Sequence, residues 1–282
     1  MTIGLAVPLG GVSETGRVRD LRAYVKLGEL ARGLGYGSLW FGDHLVAEPG
    51  ADPAGAAWET WTILSQISTC LPDLLFGTTV LCSAYRNPAL LARMTETLHY
   101  NATAKTVVGV GAGWKKDEID ALGGDPAFAR GFPDWLTIYS SILRSGAVDH
   151  SGEQLGAHLA AKLAPRAPRP LVAVSAEGPR NLRLVAKYAD LWVTPWLETP
   201  DEKYQAMRGT IDQYAVPSPP GTVACIVIPH GPDHKVALSP AEIARRLESW
   251  LTIGSVHHVV IYVPLLAANL NLIGEAIRSV DA

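Results

Sequence analysis

The chain has 282 residues and a formal net charge of −3, enough length to bury a sizeable core and no basic surplus of the kind that attracts nucleic acid or an anionic membrane surface. Its 48% hydrophobic and 18% charged residues exclude an intrinsically disordered protein. The opening MTIGLAVPLGG has neither the basic nor the long apolar segment of a signal peptide, Val259–Ala268 is too short to span a bilayer, and Cys70, Cys82 and Cys225 are widely spaced. These features predict a cytoplasmic protein with reduced thiols, no membrane span and no metal site.

Short β-branched runs alternate with helical patterns along the chain, which predicts βα units and a parallel sheet. A first strand over 2–7 leads into the loop PLGGVSETG, which carries Glu14. Leu21, Tyr24, Val25, Gly28 and Ala31 then repeat at helical spacing and stop at Gly33 and Gly35. Strands over 37–41 and 75–81 follow, and Asn87-Pro88 marks the start of another helix. The fourth strand, 106–110, runs into Gly109-Val110-Gly111-Ala112-Gly113-Trp114. About sixty residues precede the next strand, an interval long enough to predict an insertion that serves an active-site face. It holds a helix near 132–145, a polar stretch over 148–154 and an expected loop over 160–170. Strands over 171–175, 190–194, 222–228 and 257–263 complete the set. Thr199-Pro200-Asp201-Glu202 and Ser239-Pro240-Ala241-Glu242 both read as capping boxes. A last helix over 269–280 turns Ile273, Ala276, Ile277 and Val280 to one side. Eight strands with intervening helices predict an α/β fold: one (β/α)8 TIM barrel domain over 1–282, with an insertion between strands 4 and 5. A doubly wound open sheet is the alternative on this count.

In such a barrel the carboxyl ends of the strands form the catalytic mouth. Asp43-His44 sits there, where a histidine can hydrogen-bond a ring carbonyl or move a proton near neutral pH, or simply cap a loop. The glycine string at 109–113 is not a dinucleotide fingerprint, because that motif belongs to a first βα turn and this one follows three strands. It allows close approach of a flat ligand, with Trp114 as ring wall or ordinary packing. Ser175-Ala176-Glu177-Gly178-Pro179-Arg180 ends a strand in small residues and opens a helix, whose free amides suit a phosphate. Arg180 adds a donor; Glu177 opposes an anion unless it turns away. His230, His234, His257 and His258 form no zinc pattern, and no G-x-S-x-G nucleophile elbow is present. Trp40, Trp114, Trp192 and Trp196 fall at strand ends, either as core filling or as an aromatic-lined mouth.

The segments SLWFGDHL at 38–45, WETWTILSQIS at 58–68, FGTTVLCSAYRNPALLARMTETL at 76–98, VVGVGAGWKKDEIDALG at 107–123 and VAVSAEGPRNLRLVAKYADLWV at 172–193 occur in that order. With them the chain resembles the luciferase-like family of flavin and deazaflavin oxidoreductases over nearly its whole length. The resemblance implies a TIM barrel holding an isoalloxazine-type ring at its carboxyl-terminal face. It places Asp43 and His44 beside that ring as catalytic residues, and a non-proline cis peptide at Thr79-Val80 behind it. Gly109, Gly111 and Gly113 would pass under the cofactor tail, and Ser175, Ala176, Gly178 and Pro179 would contact its phosphate region. Trp114 and Glu14 would face the substrate. The family's usual acidic residue and glycine-pair turn before the fourth strand is replaced by His99-Tyr100-Asn101-Ala102-Thr103-Ala104-Lys105, on the opposite face. The sugar-phosphate dehydrogenase branch carries a glutamate where Trp114 stands, which argues against a phosphosugar substrate.

The aspartate-histidine pair and the SAEGPR corner are most similar to the branch using F420, an 8-hydroxy-5-deazaflavin. FMN is the alternative cofactor. The expected activity is hydride transfer between F420 and a small organic substrate in a homodimer. A two-component FMN-dependent monooxygenase fed by a separate reductase is the second reading, and a non-catalytic flavin-binding barrel the third.

Overall fold

The computed structural model describes residues 1–10, 19–46, 58–124, 128–152, 157–162, 170–215 and 217–280, so Glu14 lies outside the described residues. Strands β1 (Thr2–Val7), β2 (Ser38–Phe41), β3 (Leu75–Thr78), β5 (Lys105–Gly111), β8 (Val172–Ser175), β9 (Leu191–Val193), β10 (Gly221–Val227) and β11 (Val256–Tyr262) form a closed parallel barrel. β1 pairs with β2 at Leu5↔Leu39 and with β11 at Leu5↔Ile261. Closure comes from β3 against β5, at Gly77↔Val107. A short strand β4 (Leu81–Cys82) continues past β3 and pairs with β5 at Leu81↔Val110. These are the eight strands expected from sequence, with the third broken in two by a cis peptide at Thr79-Val80.

The helices α1 (Leu21–Gly33), α2 (Thr60–Ile67), α3 (Pro88–Asn101), α6 (Pro179–Tyr188), α7 (Glu202–Tyr214), α8 (Pro240–Leu251) and α9 (Ala267–Val280) follow their strands in βα order. Parallel strands buried on both faces need apolar side chains in both directions. In β10, Val223 and Cys225 point into the barrel, while Ala224 and Ile226 pack in the shell between strands and helices.

Trp40 fills the barrel interior. A Cβ on Gly4 would lie 2.7 Å from its Nε1, and one on Gly77 would lie 2.1 Å from its Cε3. Its indole N–H donates to Ser38 Oγ at 2.9 Å. Trp192 is equally buried, in the outer shell, stacked on Tyr204 with ring centroids 5.6 Å apart. Both are therefore core residues, whereas Trp114 and Trp196 are exposed.

The insertion comprises α4 (Lys116–Ala121), α5 (Phe128–Ser145) and an antiparallel hairpin of β6 (Ala147–Gly152) and β7 (Ala157–Lys162). Residues 160–162, expected in a loop, are strand paired to 147–149. α5 is tied to α3 through Thr95 Oγ1 and the Tyr139 hydroxyl at 3.1 Å. Ser239 and Glu242 form the expected capping box of α8. At α7 the cap is Asp201, which accepts from Tyr204 N at 3.0 Å, so Thr199 plays no such part.

Candidate active site

The carboxyl ends of the barrel strands surround a cavity of about 520 Å³. Asp43 and His44 reach it from the end of β2, Thr79 and Val80 from the turn between β3 and β4, and Gly111, Gly113 and Trp114 from the end of β5. Ser175, Ala176 and Gly178 close it at β8, and Thr194, Trp196 and Cys225 complete it from β9 and β10. Three stretches far apart in sequence, represented by His44, Gly111 and Gly178, thus share one space. Gly109, Pro179 and Arg180 are not on its wall.

His44 is held from one side. Its Nδ1 lies 2.9 Å from Glu118 Oε2, and Glu118 is buried. The other Glu118 oxygen accepts from the backbone N–H of Leu45 and, at 2.8 Å, from that of Val46. Burial works against the Glu118 charge, but the hydrogen bonds from His44, Val46 and Leu45 hold its carboxyl below the usual range. An ionised carboxylate only accepts, so Nδ1 of His44 carries the proton and Nε2 is the nitrogen left for other chemistry. Tyr85, also on the cavity wall, is pushed up by burial and by the neighbouring Glu118. Sequence reading missed Glu118. The visible signal was an acidic residue in the first turn of α4, directly after the glycine string.

Asp43 faces a different partner. It is buried, and it takes Arg86 Nη1 at 2.5 Å and Arg86 Nη2 at 3.0 Å in a bidentate pair. Its Oδ2 also accepts from Cys82 N at 2.9 Å. Arg86 Nη2 reaches Glu59 Oε1 at 2.5 Å as well. Despite burial, Asp43 and Glu59 hold the Arg86 guanidinium above its ordinary value. Burial likewise opposes the Glu59 charge, but Thr62, Arg86 and the Trp61 amide hold its carboxyl low.

The glycines serve two purposes. Thr78 Oγ1 donates to Gly109 O at 2.8 Å and accepts from Gly109 N at 2.9 Å. A Cβ on Gly109 would lie 2.4 Å from Thr78 O, so this glycine lets the β3–β5 contact form behind the cavity. A Cβ on Gly111 would stand 2.8 Å from Val80 Cγ2, and Gly113 adopts φ +85°. Gly178 is different: nothing lies within 4 Å of where its Cβ would be. It is the N-cap of α6, where no side chain caps the helix. Pro179 has no N–H and the Asn181 and Leu182 amides donate to Gly178 O, so the Arg180 amide, the open space and the positive end of the helix dipole are what suit an anionic group. Glu177 also lines the cavity, and its exposed pair with Lys203 at 3.1 Å offsets its charge only in part.

A family model described as luciferase-like monooxygenase matches residues 1–245. The chain belongs to the luciferase-like monooxygenase family. Among its relatives in that family, a phthiodiolone/phenolphthiodiolone dimycocerosates ketoreductase of Mycobacterium tuberculosis is 28% identical over 196 residues, covering 62% of this chain and 51% of that protein. An F420-dependent hydroxymycolic acid dehydrogenase of the same organism is 25% identical over 195 residues, covering 67% and 52%. The chain spans about half the length of these curated relatives. Among solved structures, an F420-dependent secondary alcohol dehydrogenase in complex with an F420-acetone adduct superposes with TM-score 0.74 at 15% identity, covering 99% of this chain and 98% of that one. An EDTA monooxygenase from Chelativorans sp. BNC1 gives 0.76 at 13% identity, covering 100% and 93%. These structures share the luciferase-like barrel.

Proposed function

We propose that this luciferase-like barrel is an F420-dependent oxidoreductase that transfers hydride between the deazaflavin and a small organic substrate. The observation carrying this reading is the single cavity in which the His44–Glu118 pair, the Thr79-Val80 turn, Gly111 and the uncapped start of α6 meet. Its fit to the cofactor rests on the open space at Gly178 and the positive end of the α6 dipole beside it. Relatives named as an F420-dependent dehydrogenase and a ketoreductase support the same chemistry.

In this reading Thr79, Val80, Gly111 and Gly113 line the bed of the ring. Gly109 keeps that bed in place from behind. Ser175, Ala176, Gly178 and the α6 start opened by Pro179 hold the phosphate. When bound, a reduced deazaflavin supplies a hydride equivalent. The substrate carbonyl carbon accepts it, the C–O π bond breaks, and the oxygen takes a proton from Nε2 of the doubly protonated His44 ring, which leaves the Nδ1–H tautomer held by Glu118; water then returns the Nε2 proton. The reverse direction oxidises an alcohol by the same atoms. Glu118 fixes the His44 tautomer and orientation. Asp43 acts through Arg86 as a positioning residue rather than as the proton carrier. Trp114 borders the substrate.

Residues 1–282 form one barrel domain in this reading, and the protein is a cytoplasmic homodimer. Light scattering after size exclusion tests the pairing. Among the described residues no helix is long and apolar enough to cross a membrane.

Titration with oxidised and reduced F420, followed by its absorbance, tests the main reading. Saturable binding at micromolar protein is expected; none at that concentration overturns it. Oxygen consumption with reduced FMN and a separate reductase would instead favour the monooxygenase reading, and a bound cofactor without turnover the non-catalytic barrel.

A further inference from the structure

Two aromatic side chains on the cavity rim remain open to solvent. Trp114 is 77% exposed and Trp196 41% exposed, although both border the cavity that holds His44. Trp114 stands edge-on to the His44 ring, with centroids 5.7 Å apart. Trp196 meets Tyr262, 42% exposed, in a similar contact at 5.7 Å. Tyr262 ends β11 and Trp196 closely follows β9, so this pair is carried on strand ends of the barrel. Trp40, Trp61, Trp135, Trp192 and Trp250 are buried, so most tryptophans of the chain lie inside. Exposed Trp58 is tied by its indole N–H to Arg19 O at 2.6 Å, away from the cavity.

Aromatic rings present large apolar faces while losing little side-chain entropy on binding. Trp114 and Trp196 at this opening, the latter extended by Tyr262 beyond the cavity wall, form a discontinuous apolar ridge beside the reacting position. We propose that this ridge recognises a hydrocarbon tail: the substrate is a ketone or secondary alcohol whose reacting carbon sits near His44 and whose apolar substituent leaves the cavity across Trp114 and the Trp196–Tyr262 pair. The inference rests on the hydride-transfer reading for the reacting group alone; the tail surface stands on the three rings.

Full burial of one methylene is worth about fourfold in affinity. A ridge covers one side of a chain, so roughly twofold per methylene is expected here. The experiment is calorimetric titration of 2-alkanones from four to ten carbons into the full chain, with and without oxidised F420. Parallel titrations use Trp196→Ala, Trp114→Ala and Tyr262→Ala. Tyr262→Ala removes an exposed ring at a strand end and keeps the test valid should Trp196→Ala misfold. An affinity gain of about sixtyfold across the series, cut below about tenfold by the ring substitutions, supports the proposal. Affinity independent of length in both states, or a length dependence that all three variants retain, overturns it. F420 binding is read separately from the cofactor's own absorbance. A steep length dependence without F420 binding supports the ridge and removes the hydride reading. F420 binding with a flat length dependence removes the ridge and leaves the hydride reading standing.

Discussion

At the scale of single residues, Asp43 and His44 are neighbours with opposite duties. The Asp43 carboxylate answers the buried Arg86 guanidinium. Breaking such a pair from one side leaves a buried charge and costs about 3–5 kcal/mol. Asp43→Asn should lower stability by about 3 kcal/mol in urea unfolding, since Glu59 still faces Arg86. His44 is half exposed, and Glu118 keeps the Leu45 and Val46 amides without it. His44→Ala should therefore change stability by no more than about 1 kcal/mol while removing most turnover. Equal losses in both assays would mean that His44 is a structural residue. Glu118 adds a pH signature. Its folded carboxyl titrates below the unfolded value of 4.5, so its contribution is complete above that value and is lost as pH falls through the folded one. Glu59 acts in the same direction. Melting curves from pH 7 to pH 3 should show a smaller acid loss in Glu118→Gln than in the parent chain. The same variant should lose roughly 10–100-fold in kcat/KM, the usual effect of removing the partner that orients a functional histidine.

At the scale of elements, helix starts separate what was legible in the chain from what was not. Ser239-Pro240-Ala241-Glu242 is a local code, and its capping box forms as read. Thr199-Pro200-Asp201-Glu202 has similar lettering, but Asp201 has the stronger local acceptor and begins the helix two residues later. Asp201→Ala should cost about 1 kcal/mol in denaturant unfolding, and Thr199→Ala a few tenths at most. The eight barrel strands were legible because strands buried on both faces read as continuous β-branched runs. The hairpin of β6 and β7 was not. AVDHSG and AHLAAK carry few β-branched residues, and the pairing partner supplies what propensity lacks. Glu118 was hidden for a related reason: its partners at 44–46 are more than seventy positions away. Trp40 could not be placed either, since Gly4 and Gly77, which make its room, come from other strands.

At the scale of the whole molecule, the barrel sets three distant segments around one cavity, and ligand binding must therefore stabilise the closed fold as a unit. A ligand that binds only the folded chain adds about 2.7 kcal/mol at one hundred times its dissociation constant. For a chain of this size each kcal/mol moves the unfolding midpoint by roughly 2 °C, so a shift of about 5 °C is expected with F420. FMN at the same concentration should shift it less if the deazaflavin is the resident cofactor; a larger FMN shift reverses that preference. Gly178→Ala sharpens the test. Its backbone, at φ −78° and ψ 149°, suits alanine, and its new Cβ meets no protein atom within 4 Å. The midpoint without ligand should stay within about 1 °C of the parent, because the substitution neither strains the backbone nor disturbs packing. The added methyl instead enters the open space at the start of α6, where the phosphate is proposed to sit, so the 5 °C shift should shrink or vanish. A Gly178→Ala protein with the full F420 shift would move the phosphate away from the start of α6.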